Sequence, residues 1–281
     1  MEKIKLAAVI VTYNPEIDRL KDVINSIVNQ VDFIIIVDNG SKNINDIKEI
    51  CSIKTNIEII ENDINYGIGK ALNIGIEKLK NNYDWILTLD QDSIVLYDDL
   101  KSLIKMIDQN NVGVIALKGA ETKKNNVEDI FIEEKYPIII SGSIINALIF
   151  LKGVKYREEF FLDHVDTDFD FQVRNLGFKI LKTTKKMLDH QWGKEVDSKN
   201  KKRRCQPNLR VYYTIRNGTR LLLEKKLNFR TYILDNISYI RANLYCNLHK
   251  NVFSILIVTL IAFIDGLFNN FKLFKKLNNL F

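Results

Sequence analysis

Short apolar runs alternate through the first half of the chain with stretches in which apolar residues return at helical spacing. Leu6–Val11 is an uninterrupted apolar run, as expected of a parallel strand buried on both faces. Ile17, Leu20, Ile24, Ile27 and Val28 follow at the three-to-four spacing of an amphipathic helix. Phe33–Val37 reads as a second strand, closed by the turn cluster Asp38-Asn39-Gly40-Ser41. Ile57–Ile60, Trp85–Leu89 and Val112–Leu117 are further strands, with helices over Gly67–Lys80 and Asp98–Gln109. This alternation predicts an α/β fold with a mostly parallel central sheet flanked by helices.

The second half is less regular. Ser141–Leu151 is a small-residue turn leading into an apolar helix or strand. Phe160–Gly177 holds an acidic cluster that runs into a helix, Lys179–Thr184 is a short strand, and Asp189–Arg204 reads as a loop. From Pro207 onward the pattern is helical, which divides the chain into a domain over 1–220 and a helical C-terminal extension over 221–281. Within the extension, Asn251–Ile264 carries no charge, Asp265 interrupts it, and Lys272, Lys275 and Lys276 follow. A spanning helix needs about 20 predominantly apolar residues, so the run is too short. Phe253, Ile257, Leu260 and Ile264 would share one helical face, with Phe268, Phe271 and Phe274 extending it. An apolar face with a basic flank predicts surface contact with anionic lipid through 251–276. A buried helix, or a contact in a homodimer, is the other reading. The N-terminal MEKIKLAAVIVTYNP has the lysines and apolar run of a signal peptide, but the run is short and no small-residue cleavage site follows, which favours a first buried strand.

Composition narrows the class. At 46% hydrophobic and 27% charged, the 281-residue chain is of globular type, neither disordered nor fibrous. The net charge of +6 is concentrated: Lys182–Lys226 holds fourteen Lys and Arg against four Asp and Glu. Such a block attracts phosphates, acidic lipid or nucleic acid, or is a solvated basic loop. A nucleic-acid-binding protein using this 182–226 segment is the rival from another class; no nucleic-acid partner is expected. Cys51, Cys205 and Cys246 are far apart and form no C-x-x-C pair, which argues against a disulfide framework or zinc site and for a reducing compartment.

Ligands of such sheets bind outside the carboxyl ends of the strands. The polar clusters fall there: Thr12-Tyr13-Asn14, Asp38-Asn39, Asn62–Asn65 and Asp90-Gln91-Asp92. Asp90 and Asp92, two apart at a strand end, can share work on one hard cation: one binds it, the other takes a ribose hydroxyl or a metal-bound water. Magnesium and manganese prefer oxygen ligands and complete their shell with substrate phosphates. Asp163, Asp166, Asp168 and Asp170 are like charges that repel unless a cation or proton compensates. One of Asp163 and Asp166 can instead cap the following helix. His190 is either structural or a third ligand beside carboxylate and phosphate oxygens. Asn65–Gly75 contains G-x-G, but Leu72 replaces the third glycine and the segment does not follow the first strand, so it is not a dinucleotide fingerprint. Its small residues and helix N-terminus still suit a phosphate.

Together these motifs resemble glycosyltransferase family 2, the large GT-A-fold group, over roughly residues 4 to 220. The resemblance rests on Val11-Thr12-Tyr13-Asn14, Val37-Asp38-Asn39-Gly40-Ser41, Asn65 through Gly75, Asp90-Gln91-Asp92-Ser93, Ser141-Gly142-Ser143, Val165-Asp166-Thr167-Asp168-Phe169 and His190, in order. Asp90-Gln91-Asp92-Ser93, Val165-Asp166-Thr167-Asp168 and Tyr212-Tyr213-x-x-Arg216-Asn217 are most similar to the bacterial rhamnosyltransferase branch. The resemblance implies a GT-A nucleotide-diphospho-sugar transferase fold and an inverting transfer dependent on Mn2+ or Mg2+. The donor would be a nucleotide-diphosphate sugar, with dTDP-rhamnose first and a UDP-hexose or galactofuranose donor as the alternative. The acceptor would be a glycan or a lipid-linked glycan of the bacterial cell surface. The enzyme would be cytoplasmic and peripheral at the inner face of the plasma membrane. By the same resemblance Thr12 and Tyr13 line the base pocket, Asp38 accepts from the pyrimidine N3–H, and Asn65 and Gly67 sit against the nucleotide. Asp90 contacts ribose or a metal-bound water, Asp92 and His190 hold the metal, and Asp166 is the catalytic base. One departure is that the usual acidic pair before the helix is spread here as Asp163 and Asp166, which leaves Asp163 as the other candidate base. A nucleotidyltransferase would instead carry a glycine- and basic-rich loop after the first strand, where Thr12-Tyr13-Asn14-Pro15 stands.

Overall fold

The computed structural model describes residues 3–52, 54–108, 110–119, 129–190, 195–198, 201–204, 207–246 and 252–271. The chain forms two compact units, Met1–Glu159 with Phe169–Gln191, and Phe160–Asp168 with Trp192–Phe281.

The first unit runs β1 (Leu6–Thr12), α1 (Ile17–Ile27), β2 (Phe33–Asp38), α2 (Ile44–Cys51), β3 (Ile57–Glu61), α3 (Ile68–Leu79), β4 (Trp85–Asp90) and β5 (Ser93–Val95). It continues with α4 (Leu100–Lys105), β6 (Val112–Lys118), β7 (Phe131–Glu133), β8 (Ser143–Asn146) and α5 (Ala147–Leu151). α6 (Val165–Asn175), inside which the two units divide, leads to β9 (Lys179–Lys186) and β10 (Leu188–His190). Eight strands form one sheet in the order β3-β2-β1-β4-β8-β6-β9-β7. β3, β2, β1 and β4 run parallel. β8 is antiparallel to β4 and β6, β6 and β9 are parallel again, and β7 is an antiparallel edge. Every residue of β1 is buried, which is why its sequence reads as an unbroken apolar run.

Register then places the site. Thr12 pairs with Asp38 across β1 and β2, and Val11 pairs with Asp90 across β1 and β4. The carboxyl ends of three parallel strands therefore finish level, and the polar turns follow on one edge. α3 lies close against the sheet at Gly75, where an added Cβ would come 2.7 Å from Val9 Cγ1. A glycine at that position lets the helix approach so closely.

The sequence reading missed α2 and β5 and extended α4 too far. The N–H of Met106 bonds back to the Ser102 and Leu103 carbonyls and closes α4 early. The segment Asp189–Arg204, expected to be a loop, is not wholly one. Part of it is β10, and β11 (Glu195–Ser198) pairs with β12 (Lys201–Arg204) as an antiparallel hairpin. These strands are short and carry charge instead of apolar alternation, so no strand signal exists in the sequence.

The second unit closes with α7 (Asn208–Leu223), α8 (Phe229–Cys246) and α9 (Val252–Phe268). Val211, Tyr212, Tyr213 and Ile215 of α7 pack with Val258, Ile261 and Ala262 of α9. Asp265 is fully buried within α9 and accepts the Tyr212 hydroxyl hydrogen at 2.9 Å. The acidic residue that interrupts the apolar run thus points inward, while Phe253, Leu256, Ile257, Leu260 and Phe268 are exposed. Among the described residues no helix is long and apolar enough to cross a membrane. Lys272, Phe274, Lys275 and Lys276, which extend the predicted lipid-facing segment, lie outside the described residues, as do Trp192, Lys199 and Cys205.

Candidate active site

The first two strand ends are joined by their side chains. Thr12 Oγ1 donates to Asp38 Oδ1 at 2.8 Å, and both residues are buried. Asp38 also accepts the Ser41 N–H at 2.7 Å and the Ser41 hydroxyl. The Asn14 N–H donates to Ser41 Oγ at 2.7 Å, and the Tyr13 N–H donates to Gln91 Oε1 at 2.7 Å. The turns after β1, β2 and β4 are therefore one hydrogen-bonded edge, and the Tyr13 side chain stands exposed on it. The Asn39 amide donates to the Gly67 carbonyl at 3.3 Å and accepts from Asn62 at 2.9 Å. Asn65 Oδ1 accepts the Gly67 N–H at 2.9 Å just before α3. Gly67, at φ 84°, takes a left-handed conformation that glycine adopts without strain. Its amide is held by Asn65.

Asp90, Asp92 and His190 come together at the end of β4 and on the β5–β10 ribbon. Each offers a ligand atom, and these atoms lie within 4.8 Å of one another. Asp92 Oδ1 is 3.6 Å from His190 Nδ1 and is buried without a hydrogen-bond donor. Burial raises the Asp92 pKa, and the nearby His190 and Arg19 only partly offset it. A buried carboxylate oxygen lacking a donor, beside a second carboxylate and an imidazole, fits a divalent cation of the magnesium or manganese type.

Three residues without a predicted role build this cluster. Arg19, on α1, donates to the Asp92 carbonyl from Nε at 2.9 Å and Nη2 at 2.7 Å. The same Nη2 reaches the Asp189 carbonyl at 2.9 Å and the Asp189 carboxylate at 3.1 Å. Arg19 so clamps both strands of the ribbon, in which Ser93 stands opposite His190. Ser93 Oγ bonds His190 Nδ1 at 2.5 Å. Ser141 Oγ donates to Ser93 Oγ at 2.7 Å and accepts the Asp90 N–H at 2.9 Å.

The acidic cluster resolves into residues with different partners. In the second unit, the Asp163 side chain is 8% exposed and accepts from Arg210 Nε at 3.1 Å and Thr214 Oγ1 at 3.1 Å. Asp163 and His164 both adopt left-handed backbone, φ 57° and 59°, a strained pair for residues with a Cβ. Asn217 Nδ2 holds the bend by donating to the carbonyls of Leu162 at 2.8 Å and Asp163 at 3.1 Å. Asp168 pairs with Lys226 at 2.7 Å. In the first unit, Asp170 accepts the Ile138 N–H at 2.7 Å. Asp166, in the first turn of α6, accepts the Thr167 N–H at 2.8 Å. Burial, followed by the charge of Asp163, pushes its pKa up to about 6 against the hydrogen bonds that lower it.

The predicted basic block is not a uniform charged face. Lys182 meets Glu134, Lys186 meets Asp189, and Arg220 meets Glu224, in addition to the Arg210 and Lys226 pairs. Arg216 is buried, with its guanidinium 4.0 Å from the Phe271 ring centroid.

A large, mostly parallel sheet with its polar turns gathered at the carboxyl edge, followed by C-terminal helices, is the GT-A arrangement of glycosyltransferases. The sequence matches the family described as Glycosyl transferase family 2 over residues 7–164, more than half of its length, and the chain belongs to that family. It is 26% identical to the dTDP-rhamnosyl transferase RfbF of Shigella flexneri, across 92% of this chain and 94% of that protein. Among solved structures, S. aureus TarS 1-349 in complex with UDP aligns with a TM-score of 0.59 at 17% identity, covering 94% of this chain and 81% of that one. The mannosyltransferase PcManGT from Pyrobaculum calidifontis, in complex with GDP-Man and Mn2+, aligns with a TM-score of 0.55 at 11% identity, covering 93% and 74%.

Proposed function

We propose that this glycosyltransferase performs an inverting, divalent-cation-dependent transfer of L-rhamnose from dTDP-rhamnose to a glycan or lipid-linked acceptor in bacterial cell-surface polysaccharide synthesis. The observation that carries the metal dependence is the Asp90, Asp92 and His190 cluster with its donorless buried Asp92 oxygen. The Mn2+ in the PcManGT structure agrees with it. The choice of sugar rests on the likeness to RfbF. Residues 1–220 would be the catalytic domain and 221–281 its helical extension.

Asp38 would accept the pyrimidine N3–H between Thr12 and Tyr13. Its carboxylate already takes three hydrogen bonds, and about four lone-pair sites are available to a carboxylate. Asn65 and Gly67 would lie against the nucleotide. Asp92 and His190 would hold Mn2+ or Mg2+, with Asp90 on the ribose or on a metal-bound water. A cation bound there supplies positive charge against the departing nucleoside diphosphate. Asp166 would take the proton of the acceptor hydroxyl as that oxygen attacks the anomeric carbon, and one-step attack inverts the centre. Asp163 is already engaged by Arg210 and Thr214, which favours Asp166 as the base. A retaining double displacement would need a further nucleophile, for which no separate candidate stands out. The purified chain with Mn2+ is expected to turn over dTDP-rhamnose in preference to a panel of UDP-sugars. A clear preference for UDP donors would instead assign it to hexosyl or galactofuranosyl transfer.

The enzyme would work in the cytoplasm, at the inner face of the plasma membrane, through 251–276. The exposed Phe253, Leu256 and Leu260 of α9 support this, as do the exposed Phe229, Ile233, Leu234 and Ile237 of α8, with Arg230 and Arg241 exposed on the same helix. A homodimer is the other use of such a face. Because the inner side of α9 packs on α7, the test leaves the helix in place and changes only its outer row. Full-length protein is expected to co-float with anionic liposomes at low salt, and the triple variant Phe253→Asp, Leu256→Asp, Leu260→Asp is expected to stay behind. If the unaltered protein remains in the soluble fraction as a dimer, the membrane reading fails.

A further inference from the structure

Asp163 and His164, the two residues that lead into α6, both hold left-handed backbone, φ 57° and 59°. A helix is ordinarily entered from extended backbone, and such a pair persists only where its surroundings over-determine it. Those surroundings include one stripe of α7. Arg210, Thr214, Asn217 and Gly218 recur at the spacing that puts residues on a single helix face. Arg210 and Thr214 take the Asp163 carboxylate, each at 3.1 Å. Asn217, fully buried, takes the main chain: its Nδ2 donates to the Leu162 carbonyl at 2.8 Å and to the Asp163 carbonyl at 3.1 Å. At Gly218 an added Cβ would come 3.1 Å from His164 Nε2, so a side chain there would press on the second left-handed residue.

The orientation of the Asn217 amide is fixed by its neighbour. Arg216 has donors only, and its Nη1 gives to Asn217 Oδ1 at 2.8 Å. The amide nitrogen is thereby left to the two carbonyls, which can only accept. Arg216 is itself held, with its Nη2 at 3.1 Å from Asn269 Oδ1 and its guanidinium 4.0 Å from the Phe271 ring centroid. Beyond the bend, the Asp168 N–H closes the first turn of α6 on the His164 carbonyl at 3.1 Å. Asp166 lies inside that turn, so the path of the main chain at Leu162 and Asp163 sets where its carboxylate stands. We infer that Asn217, oriented by Arg216, is the positioning residue for Asp166: by gripping two successive carbonyls of the strained bend it aims the first turn of α6 and the carboxylate on it. The inference rests on Asp166 being the base and deepens that reading. It gives a task to two buried polar side chains of a helix that otherwise packs through Val211, Tyr212, Tyr213 and Ile215.

The test uses full-length protein with Mn2+, and follows nucleotide release at a series of pH values from dTDP-rhamnose or from the UDP-sugar that the donor panel selects. The titratable and charged groups around Asp166 are Asp163 and His164 in the bend, Asp168 and Lys226 at the same turn, Arg210 of α7, and Asp235 and Tyr239 of α8. A change at Asn217 leaves all of them in place, so a moved pH profile reports a moved carboxylate. Asn217→Ala is expected to lower kcat by at least ~10-fold, since a misplacement of about 1 Å can cost ~10²-fold, while the donor KM is unchanged. Its acid limb is expected to move below that of the wild type. A carboxylate released from its fixed place regains water and loses the burial that pushes its pKa up to about 6. Should Asn217→Ala fail to fold, Asn217→Ser decides by the same readouts. A helical serine hydroxyl can turn to the carbonyl four residues back, which leaves the bend ungripped without orphaning a group on α7. Asp166→Asn is measured beside them. If Asp166→Asn cripples turnover while the folded Asn217 variant keeps both kcat and acid limb, or loses activity only in proportion to folded protein, the positioning role is overturned and the base stands. If Asp166→Asn is mild, the base reading fails and this inference with it.

Discussion

Asp92→Ala is expected to abolish metal-dependent donor binding and to lower turnover by about 10³-fold or more. A bound cation acting on a departing phosphate is worth several kcal/mol, and about 4 kcal/mol corresponds to that factor. The fold should survive, because Arg19 grips the Asp92 carbonyl, which alanine retains. The substitution also removes a carboxylate whose pKa burial has raised, so a loss of stability is not the expected cause of lost activity. Mn2+ titration and a donor turnover assay on the same preparation check both statements. Full activity of the unaltered enzyme in excess chelator would sink the expectation.

Asp166→Asn is expected to keep donor affinity and to lose turnover by at least ~10²-fold, the lower end for removal of a general base. The pH dependence follows from its environment. Its folded pKa, pushed up to about 6, lies above the usual 3.8, so the proton is held more tightly in the folded protein. The ionised form would be the base, so the rate should fall as pH drops through about 6. The same shift means that folding loses stability as pH rises from about 4 to 6, because ionised Asp166 is less well accommodated folded than unfolded. Asn at this position therefore avoids that cost at neutral pH, and the variant should fold. Asp163 and Tyr239 are the titratable groups whose charges act on or respond to Asp166, and Arg210 and Asp235 lie with them. Asp163→Asn should behave differently, because it removes the negative charge opposite Arg210 and leaves one accepting oxygen where two served Arg210 and Thr214, and so should act mainly on stability. If instead Asp163→Asn cripples turnover and Asp166→Asn is mild, the base assignment is wrong.

Much of this was legible in the residues, for identifiable reasons. β1 and β2 are buried almost throughout, so their apolar runs are continuous, and the polar residues that end them mark the candidate edge. Asp90 and Asp92 were legible because they follow such a strand. Arg19 was not. It occupies a polar position on an amphipathic helix, and the carbonyls it holds lie 73 and 170 residues away. Ser93 and Ser141 stood within recognisable motifs, but their 48-residue separation hid the bond between their hydroxyls. The ribbon that carries His190 has strands of three residues, too short for any period to show. In α9 the difficulty was the reverse. Apolar residues cover both its inner and outer sides, so periodicity could not say which half faced the protein.

The buried contact between Tyr212 and Asp265 has a bearing on when the second unit is complete. It joins residues 53 apart, and α9 contributes three of the seven buried residues of the core it forms with α7. Residues 160–168, Asp166 among them, belong to the same compact unit as these helices. Units of this kind fold as wholes, the earlier ones first, while the ribosome is still at work. The sheet of the first unit, apart from its late strands, is made early in synthesis. α7, which holds Asp163 through Arg210 and Thr214, receives its partner helix only after α9 has been made. A nascent chain halted before that point would lack one side of the core on which α7 packs, so this unit is completed only when α9 is made.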